Sequence, residues 1–309
     1  MVATGTTAFR VFSGPGCWIE RFGRSALISV RSESEMPNLV SALEQWGARA
    51  RWLPERTYKR LLVCGPGESD VPVLVGGEAG ESPREIVTES GLCFEVDFSA
   101  GYSPGLFCDQ RGNRDFLRKL SPRRTLNTFA YTCAFSVAAA AVGSATLSVD
   151  ISKSSLQRGR RNFELNGIDL FSPREENQAA VVGPTSLRQK EAVPQHRFVA
   201  EDVPTYLARL ARRGEKFDAI ILDPPTFGRG GAHRTFRVER DFESLLLAAV
   251  EIAAPGASIL LSTNYAAWNE EDLRQIARRV SPGNLRFEKP VTHPLRPRIS
   301  PETNIWMVL

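Results

Sequence analysis

The segment Phe217 to Phe227, FDAIILDPPTF, constrains the fold more than any other stretch of the chain. Four consecutive apolar residues, Ala219 to Leu222, fit a strand buried on both faces, as in the middle of a parallel sheet. Pro224 and Pro225 have a fixed φ and no N–H for a ladder, so the strand must stop there in a rigid turn that presents carbonyls. Asp223 is then expected at the strand's carboxyl end, where open α/β sheets hold their ligands, with the flat face of Phe227 beside it.

The pattern around this segment alternates strand and helix from Arg124 onward. Strands are expected over Thr125 to Phe129, Ala145 to Asp150, Arg197 to Glu201, Phe217 to Asp223 and Ser258 to Ser262. Helices are expected over Ala134 to Val142, Ser152 to Asn166, Val203 to Arg213, Phe242 to Ala253 and Glu270 to Val280, with final strands over Leu285 to Lys289 and Asn304 to Leu309. This alternation predicts an α/β fold with a doubly wound parallel sheet, and residues 171–195 read as a polar, patternless insertion. Ahead of it, short β-like runs punctuated by Gly and Pro predict a small β-rich domain. It contains a strand pair about Phe22-Gly23-Arg24, a helix over Pro37 to Trp46, and strands over Leu61 to Cys64 and Val71 to Val75. A hairpin turning at Ser90-Gly91 would put Leu92, Phe94, Val96 and Phe98 on one face. The domains are drawn at 1–115 and 116–309.

A chain of 309 residues with 42% hydrophobic content can fill a sizeable core. No run of eighteen apolar residues and no secretory pattern is visible, so a cytoplasmic protein without membrane spans is expected. The arginines of the first 31 residues suit a targeting helix, but Gly14-Pro15-Gly16 would interrupt one. Five cysteines lack C-x-x-C spacing and the three histidines stand singly, so neither a disulfide framework nor a metal site is expected. The net charge of +4 permits a polyanionic partner.

Three strand tips offer contacts for a nucleoside. The turn Asn127 to Ser136 meets a helix N-terminus. Asp150 ends the second strand, where a carboxylate can accept two ribose hydroxyls, and Asp202 after the third can accept from an adenine amino group. Each acid alone is as readily a turn or capping residue; their joint order carries the reading. The G-x-G-x-x-G loop for a pyrophosphate is absent, so a nucleoside without phosphates is expected, and S-adenosylmethionine fits.

From about Leu92 to its end the chain resembles the class I S-adenosylmethionine-dependent methyltransferases that modify bases of large-subunit ribosomal RNA, whose members make 5-methylcytosine or 7-methylguanine. The matching blocks are Gly101 to Arg114 (GYSPGLFCDQRGNR), Leu126 to Ser136 (LNTFAYTCAFS), Ser148 to Ile168 (SVDISKSSLQRGRRNFELNGI) and FDAIILDPPTF. The resemblance implies a Rossmann-like seven-stranded sheet, with Asp150 on the ribose, Asp202 on the adenine, and Asn127, Phe129, Tyr131 and Thr132 around the methionine part. Gln110 and Arg114 would line the cofactor pocket, and Ile151 and Asp223 join the cofactor-binding set. The family usually has Thr-Gly-Gly where this chain has Thr132-Cys133-Ala134, which adds bulk to the first loop.

The acceptor atom follows from chemistry. Carbon-5 of cytosine becomes nucleophilic only after a thiolate adds to carbon-6. This chain has no cysteine after Cys133, and the fifth-strand tip reads Ser262-Thr263-Asn264 where the family's cytosine enzymes carry Cys. A nitrogen target, guanine N7 or an amine, is therefore favoured; the 7-methylguanine branch resembles this chain in DPPTF and an Asn-containing tip. Asp223, the Pro224 carbonyl and Asn264 would hold the base edge and Phe227 would stack on its face. The bland alternative makes Phe227 a core plug and Asn264 a loop cap. Arg229, Arg234, Arg237 and Arg240 follow as a mobile clamp for RNA phosphates, whereas Arg158, Arg160 and Arg161 read as surface charge on a helix. Two other readings stay open: a methyltransferase of a protein or small molecule, and a non-catalytic protein of the same fold serving ribosome assembly.

Overall fold

In the computed structural model the described residues are 5–63, 69–170, 195–229, 235–283, 285–289 and 303–309. Three antiparallel strands come first: β1 (Ala8–Gly14), β2 (Cys17–Phe22) and β3 (Ser25–Val30). The arginine-rich start of the chain is thus sheet, with Gly14-Pro15-Gly16 turning β1 into β2. Gly23 sits in the next turn at φ +60°, and a Cβ there would lie 2.6 Å from the Glu85 carboxylate, so only glycine fits. Helix α1 (Met36–Ala50) carries the chain over to β4 (Arg56–Leu61), which lies parallel to β3, and β5 (Val73–Gly77) closes the sheet in the order β1-β2-β3-β4-β5. β4 begins five residues before the strand expected at Leu61. The reason is that its inward-facing residues include Arg56 and Arg60, both buried, whose charges meet Glu85 and Glu20.

The hairpin of β6 (Arg84–Glu89) and β7 (Leu92–Asp97) forms as its alternation predicts, with Ser90 at φ 51° and Gly91 at φ 82°, both left-handed as a two-residue hairpin turn requires. Leu92, Phe94, Val96 and Phe98 are all buried. A short 3₁₀ turn then leads into α2 (Arg111–Leu120), a helix the sequence pattern does not announce. Its buried side chains, Asn113, Arg114 and Leu117, are mostly polar, and its apolar residues that reach the core, Phe116, Leu117 and Leu120, fall only in its second half.

The alternating half contains β8 (Arg124–Thr128), α3 (Ala134–Ala140), β9 (Ala145–Asp150), α4 (Lys153–Leu165), β10 (His196–Ala200) and α5 (Val203–Arg212). It continues with β11 (Phe217–Leu222), the short β12 (Phe227–Arg229) and β13 (Thr235–Arg237), α6 (Val238–Glu251) and β14 (Ala253–Thr263). The last elements are α7 (Glu270–Val280), β15 (Arg286–Glu288) and β16 (Thr303–Val308). Seven strands form one sheet in the order β10-β9-β8-β11-β14-β16-β15, parallel through β14, with β16 running antiparallel between β14 and β15. Ala219 to Leu222 are fully buried at its centre, as the apolar run demands. The winding direction reverses between β8 and β11, the place where such sheets open a crevice at their carboxyl ends.

Helix α4 also seals the β7 edge. Asn162 accepts from the Glu95 N–H at 2.9 Å, and Asn166 accepts from and donates to the backbone of Cys93 at 2.8 and 2.7 Å. Two side-chain amides thereby replace the neighbouring strand that β7 lacks. Residues 171–194 of the expected insertion lie outside the described residues.

Candidate functional site

The tips of β8, β9, β11 and β14 converge on one edge of the sheet. After β8 the chain enters a loop in which three non-glycine residues have left-handed φ: Phe129 (51°), Tyr131 (48°) and Cys133 (61°). Each such conformation is costly for a residue with a Cβ, so tertiary bonds must hold the loop. The Tyr131 N–H donates to Asp150 Oδ2 at 2.8 Å, the Tyr131 hydroxyl to the Ser103 carbonyl at 2.7 Å, and Thr132 Oγ1 to the Gly105 carbonyl at 2.5 Å. Asn162 Nδ2 donates to the Thr132 carbonyl at 2.9 Å. Arg158, expected as surface charge, instead donates to the Pro104 carbonyl and lies 5.9 Å from the Tyr131 ring, while Arg160 covers the Phe198 ring at 4.6 Å. The Ser103 to Gly105 segment is thus pinned to the β8 loop by partners far away in sequence.

Asp150 is half-buried, which pushes its carboxyl above the usual range against the two N–H bonds it accepts, from Ser152 to Oδ1 and from Tyr131 to Oδ2, both at 2.8 Å. A carboxylate offers about four lone-pair positions, so two remain for other donors. Beside it Ile151 is 52% exposed, an apolar face at the mouth of the site. Asp202 caps α5, its Oδ2 accepting from Thr205 N at 3.2 Å and Thr205 Oγ1 at 2.8 Å. Asn127 is buried and donates to Ser136 Oγ at 2.9 Å, which in turn meets Ser148 Oγ at 2.8 Å, so its side chain ties β8 to α3 and β9 rather than facing the crevice.

Cys133 takes the left-handed position where the related Thr-Gly-Gly pattern has glycine, and its bulk goes into α4. Its thiol is fully buried and pushed up to about 12 by desolvation, so it supplies no thiolate. Gly159 of α4 makes the room, because a Cβ there would lie 2.4 Å from Cys133 Sγ. Gly159→Ala is expected to cost about 1–3 kcal/mol by overpacking. Adding Cys133→Gly should recover most of that loss, since glycine suits φ +61° and removes the clash; urea denaturation of the two single variants and the double variant measures the coupling.

Asp223 ends β11 half-buried, with Gln110 Nε2 3.3 Å from its Oδ2 and 2.9 Å from Ser262 Oγ at the tip of β14. Burial pushes its carboxyl up to about 6; the nearby Asp109 adds to the rise, while a Ser262 hydrogen bond and the Arg114 charge oppose it. Gln110 belongs to a buried relay of fixed polarity. The Trp306 indole N–H can only donate, so Asn113 presents Oδ1 to it at 3.1 Å. Asn113 Nδ2 then donates to Gln110 Oε1 at 2.6 Å, which turns the Gln110 amide N–H group toward Asp223. The relay carries an orientation from β16 through α2 to the tip of β11.

Arg114, expected to line the cofactor pocket, is buried with both Nε and Nη2 on the Glu89 carboxylate at 2.6 and 2.7 Å, and Nη2 also holds the Phe107 carbonyl at 2.8 Å. It locks the hairpin to α2 and holds the Phe107 carbonyl in the segment that leads to it. Pro224 is buried and Asn264 is exposed on the wall of a cleft toward the N-terminal sheet. Phe227 and Arg229 are described by their backbone alone, paired with Arg237 and Thr235 across the β12–β13 ribbon, and Arg234 lies outside the described residues. Arg237 is exposed. Arg240 is not a bare charge, since it meets its neighbour Asp241 on α6 at 2.8 Å.

A parallel sheet of this strand order with an antiparallel strand set between its last two, and polar residues gathered at the carboxyl tips flanking the reversal, defines the class I methyltransferase fold. The profile of the S-adenosylmethionine-dependent methyltransferases matches residues 18–174, half of the chain. The chain belongs to that family. It is 34% identical over 277 residues to YwbD of Bacillus subtilis (strain 168), covering 86% of this chain and 63% of that protein. It is 31% identical over 285 residues to ribosomal RNA large subunit methyltransferase I of Yersinia pseudotuberculosis, covering 88% of this chain and 64% of that one. The chain thus spans somewhat less than two thirds of these relatives. Among solved structures, SMU.776 complexed with SAH superposes with a TM-score of 0.78 at 24% identity over 99% of this chain and 76% of the other. The SAM-dependent methyltransferase from Agrobacterium tumefaciens gives 0.69 at 19% identity, covering 99% and 90%.

Proposed function

We propose that this chain transfers a methyl group from S-adenosylmethionine to a base of RNA, most suitably ribosomal RNA, and that the acceptor is a nitrogen. The observation that carries the reading is the gathering of Asp150, the strained Phe129–Cys133 loop, Asp223-Pro224 and Asn264 at one sheet edge. The residues fit the cofactor. Asp150 has two lone-pair positions for ribose hydroxyls, Ile151 offers an apolar face for the adenine, and the Asp202 carboxylate lies one strand further along. The backbone of Phe129, Tyr131 and Thr132 would border the methionine part. When bound, the cofactor supplies an electrophilic methyl group.

The chain's own residues then need to orient the acceptor and hold its edge. Asp223, with its Gln110 donor, and the Pro224 carbonyl accept from N–H groups of the base, Asn264 meets it from the end of β14, and Phe227 would stack on it. A carbon target would require a thiolate. Of the described cysteines, Cys133 is pushed up to about 12, Cys108 well above its ordinary value and Cys17 also upward, each chiefly by burial, while Cys93 stands in β7 with its backbone held by Asn166. The 7-methylguanine branch is the relative this points to. Arg229, Arg234 and Arg237, with Arg240 shared with Asp241, would border the RNA path. The division into 1–115 and 116–309 belongs to the same reading, with the seam moved ahead of α2, since residue 115 lies inside that helix.

Asp150→Ala is expected to weaken S-adenosylmethionine binding by about 10- to 100-fold, the loss of hydrogen bonds to a charged acceptor, measured by calorimetry. The test of the function is methylation of unmodified ribosomal RNA, free and assembled, followed by nucleoside mass spectrometry. A methylated guanine or amine supports the reading, 5-methylcytosine overturns the nitrogen target, and labelling of protein or metabolites without RNA overturns the substrate.

A further inference from the structure

A cleft of about 430 Å³ lies between the N-terminal sheet and the strand-tip edge, with Asn264 on one wall and Trp18, Arg31, Arg60 and Tyr102 on the other. Its size is that of a small-ligand site. Arg60 is its fixed plank. Buried, and 3.9 Å from Glu20, its guanidinium bonds Ser29 Oγ at 2.8 Å and the Tyr102 carbonyl at 2.7 Å. The same plane lies 4.4 Å from the Tyr102 ring centre and 5.8 Å from that of Trp18. Arg10 also stands 4.9 Å from the Trp18 ring centre, so both rings are held in place before any ligand arrives, and it is Tyr102, 41% exposed, that keeps open surface.

Arg31 stands differently. It is exposed, and among the described residues its side chain forms no ion pair. It lies across the β1–β2 turn over Gly16, where a Cβ would come within 2.8 Å of Arg31 Cδ and Nε. The glycine at φ +74° thus lets an unneutralised guanidinium reach the cleft mouth. Aromatic faces alternating with guanidinium planes suit one chemistry well, an unpaired nucleotide with its base stacked and its phosphate on a cation. A paired base offers neither free face.

We propose that this cleft is a second nucleotide subsite, which holds an unpaired nucleotide flanking the methylated base, stacked against Tyr102 beside Trp18, with its phosphate at Arg31. The proposal rests on the RNA reading above and adds to it a place and a strandedness: Asn264 borders both the acceptor edge and the cleft, so one short strand can occupy the two. The N-terminal sheet then contributes to substrate choice directly.

The test is fluorescence anisotropy with a labelled ten-nucleotide oligouridylate and an RNA duplex of equal length. The wild-type chain should prefer the single strand. Tyr102→Ala and Arg31→Ala should each weaken it by about tenfold, and Tyr102→Phe, which keeps the ring, should not. Arg31→Ala should also flatten the salt dependence by about 0.7 in the slope of log K against log salt. Unchanged S-adenosylmethionine binding by calorimetry shows that the variants are folded, and Arg31, being exposed, puts no core packing at risk. If the wild type binds the oligonucleotide while both alanine variants match it, or if the duplex binds as well as the single strand, the subsite is refuted and the RNA reading stands. If the wild type binds no RNA, the RNA reading fails and the subsite with it.

Discussion

Asp223→Asn is expected to lower the rate of methyl transfer by about 100-fold or more while changing S-adenosylmethionine affinity only a few-fold. The rate effect follows from the role proposed for Asp223 at the tip of β11, where its carboxylate, beside Gln110, would accept from the acceptor base; losing one aligned electrostatic contact of this kind costs about 10²–10³ in rate. The same substitution should raise thermal stability at neutral pH. The carboxyl of Asp223 is pushed up to about 6 from the usual 3.8, so between those values the folded chain keeps a proton that the unfolded chain has released. Stability associated with that proton is present at low pH and is lost as pH rises through about 6, leaving a charge half-buried at neutral pH at a cost that asparagine removes. Transfer by the wild type should correspondingly fall as pH drops below about 6. Single-turnover rates from pH 5 to 8 and thermal melts of both proteins measure these effects. An unchanged rate in the variant would remove Asp223 from the acceptor site.

The second large effect is on folding. Arg114→Ala should destabilise the protein by about 3–5 kcal/mol, because it leaves the buried Glu89 carboxylate uncompensated. Lysine should not rescue it, since the two parallel bonds at 2.6 and 2.7 Å need a planar fork. Removing both partners with Glu89→Ala should cost much less than the sum of the single changes, which is the signature of a direct pair in urea denaturation. A weaker hold on the Phe107 carbonyl should also loosen the segment that carries Ser103 and Gly105, lowering cofactor affinity more than the lost stability alone explains.

Where the chain buries apolar side chains in regular alternation or in an unbroken run, its fold was readable. The β11 run, the hairpin with Ser90-Gly91 and the helix beginning at Ser152 all lie where local pattern places them. Helix α2 was hard to see because its inward face sets Asn113 and Arg114 beside Leu117, and those two polar side chains are buried only by virtue of Trp306 and Glu89, one of them 193 residues away. The site divides in the same way. Asp150 and Asp223 stand at strand ends, where local pattern puts them, whereas the bonds that capture Arg158 and Arg114, to the Pro104 carbonyl and the Glu89 carboxylate, are made only on folding and leave no mark in the local sequence.

By itself the sequence determined the alternation of strands and helices from β8 onward, the Asp-Pro-Pro turn and the absence of a thiol beyond Cys133. These are properties of local pattern and of which residues are present, while the strand order and its reversal between β8 and β11 came with the fold. Only the tertiary structure decided that Phe129, Tyr131 and Cys133 adopt left-handed backbone, that Gly159 takes up the Cys133 thiol, and that a three-residue relay turns Gln110 toward Asp223. Left-handed conformations in residues with a Cβ, and polar side chains without water, are unfavourable locally, and they persist because distant segments supply the hydrogen bonds that hold them.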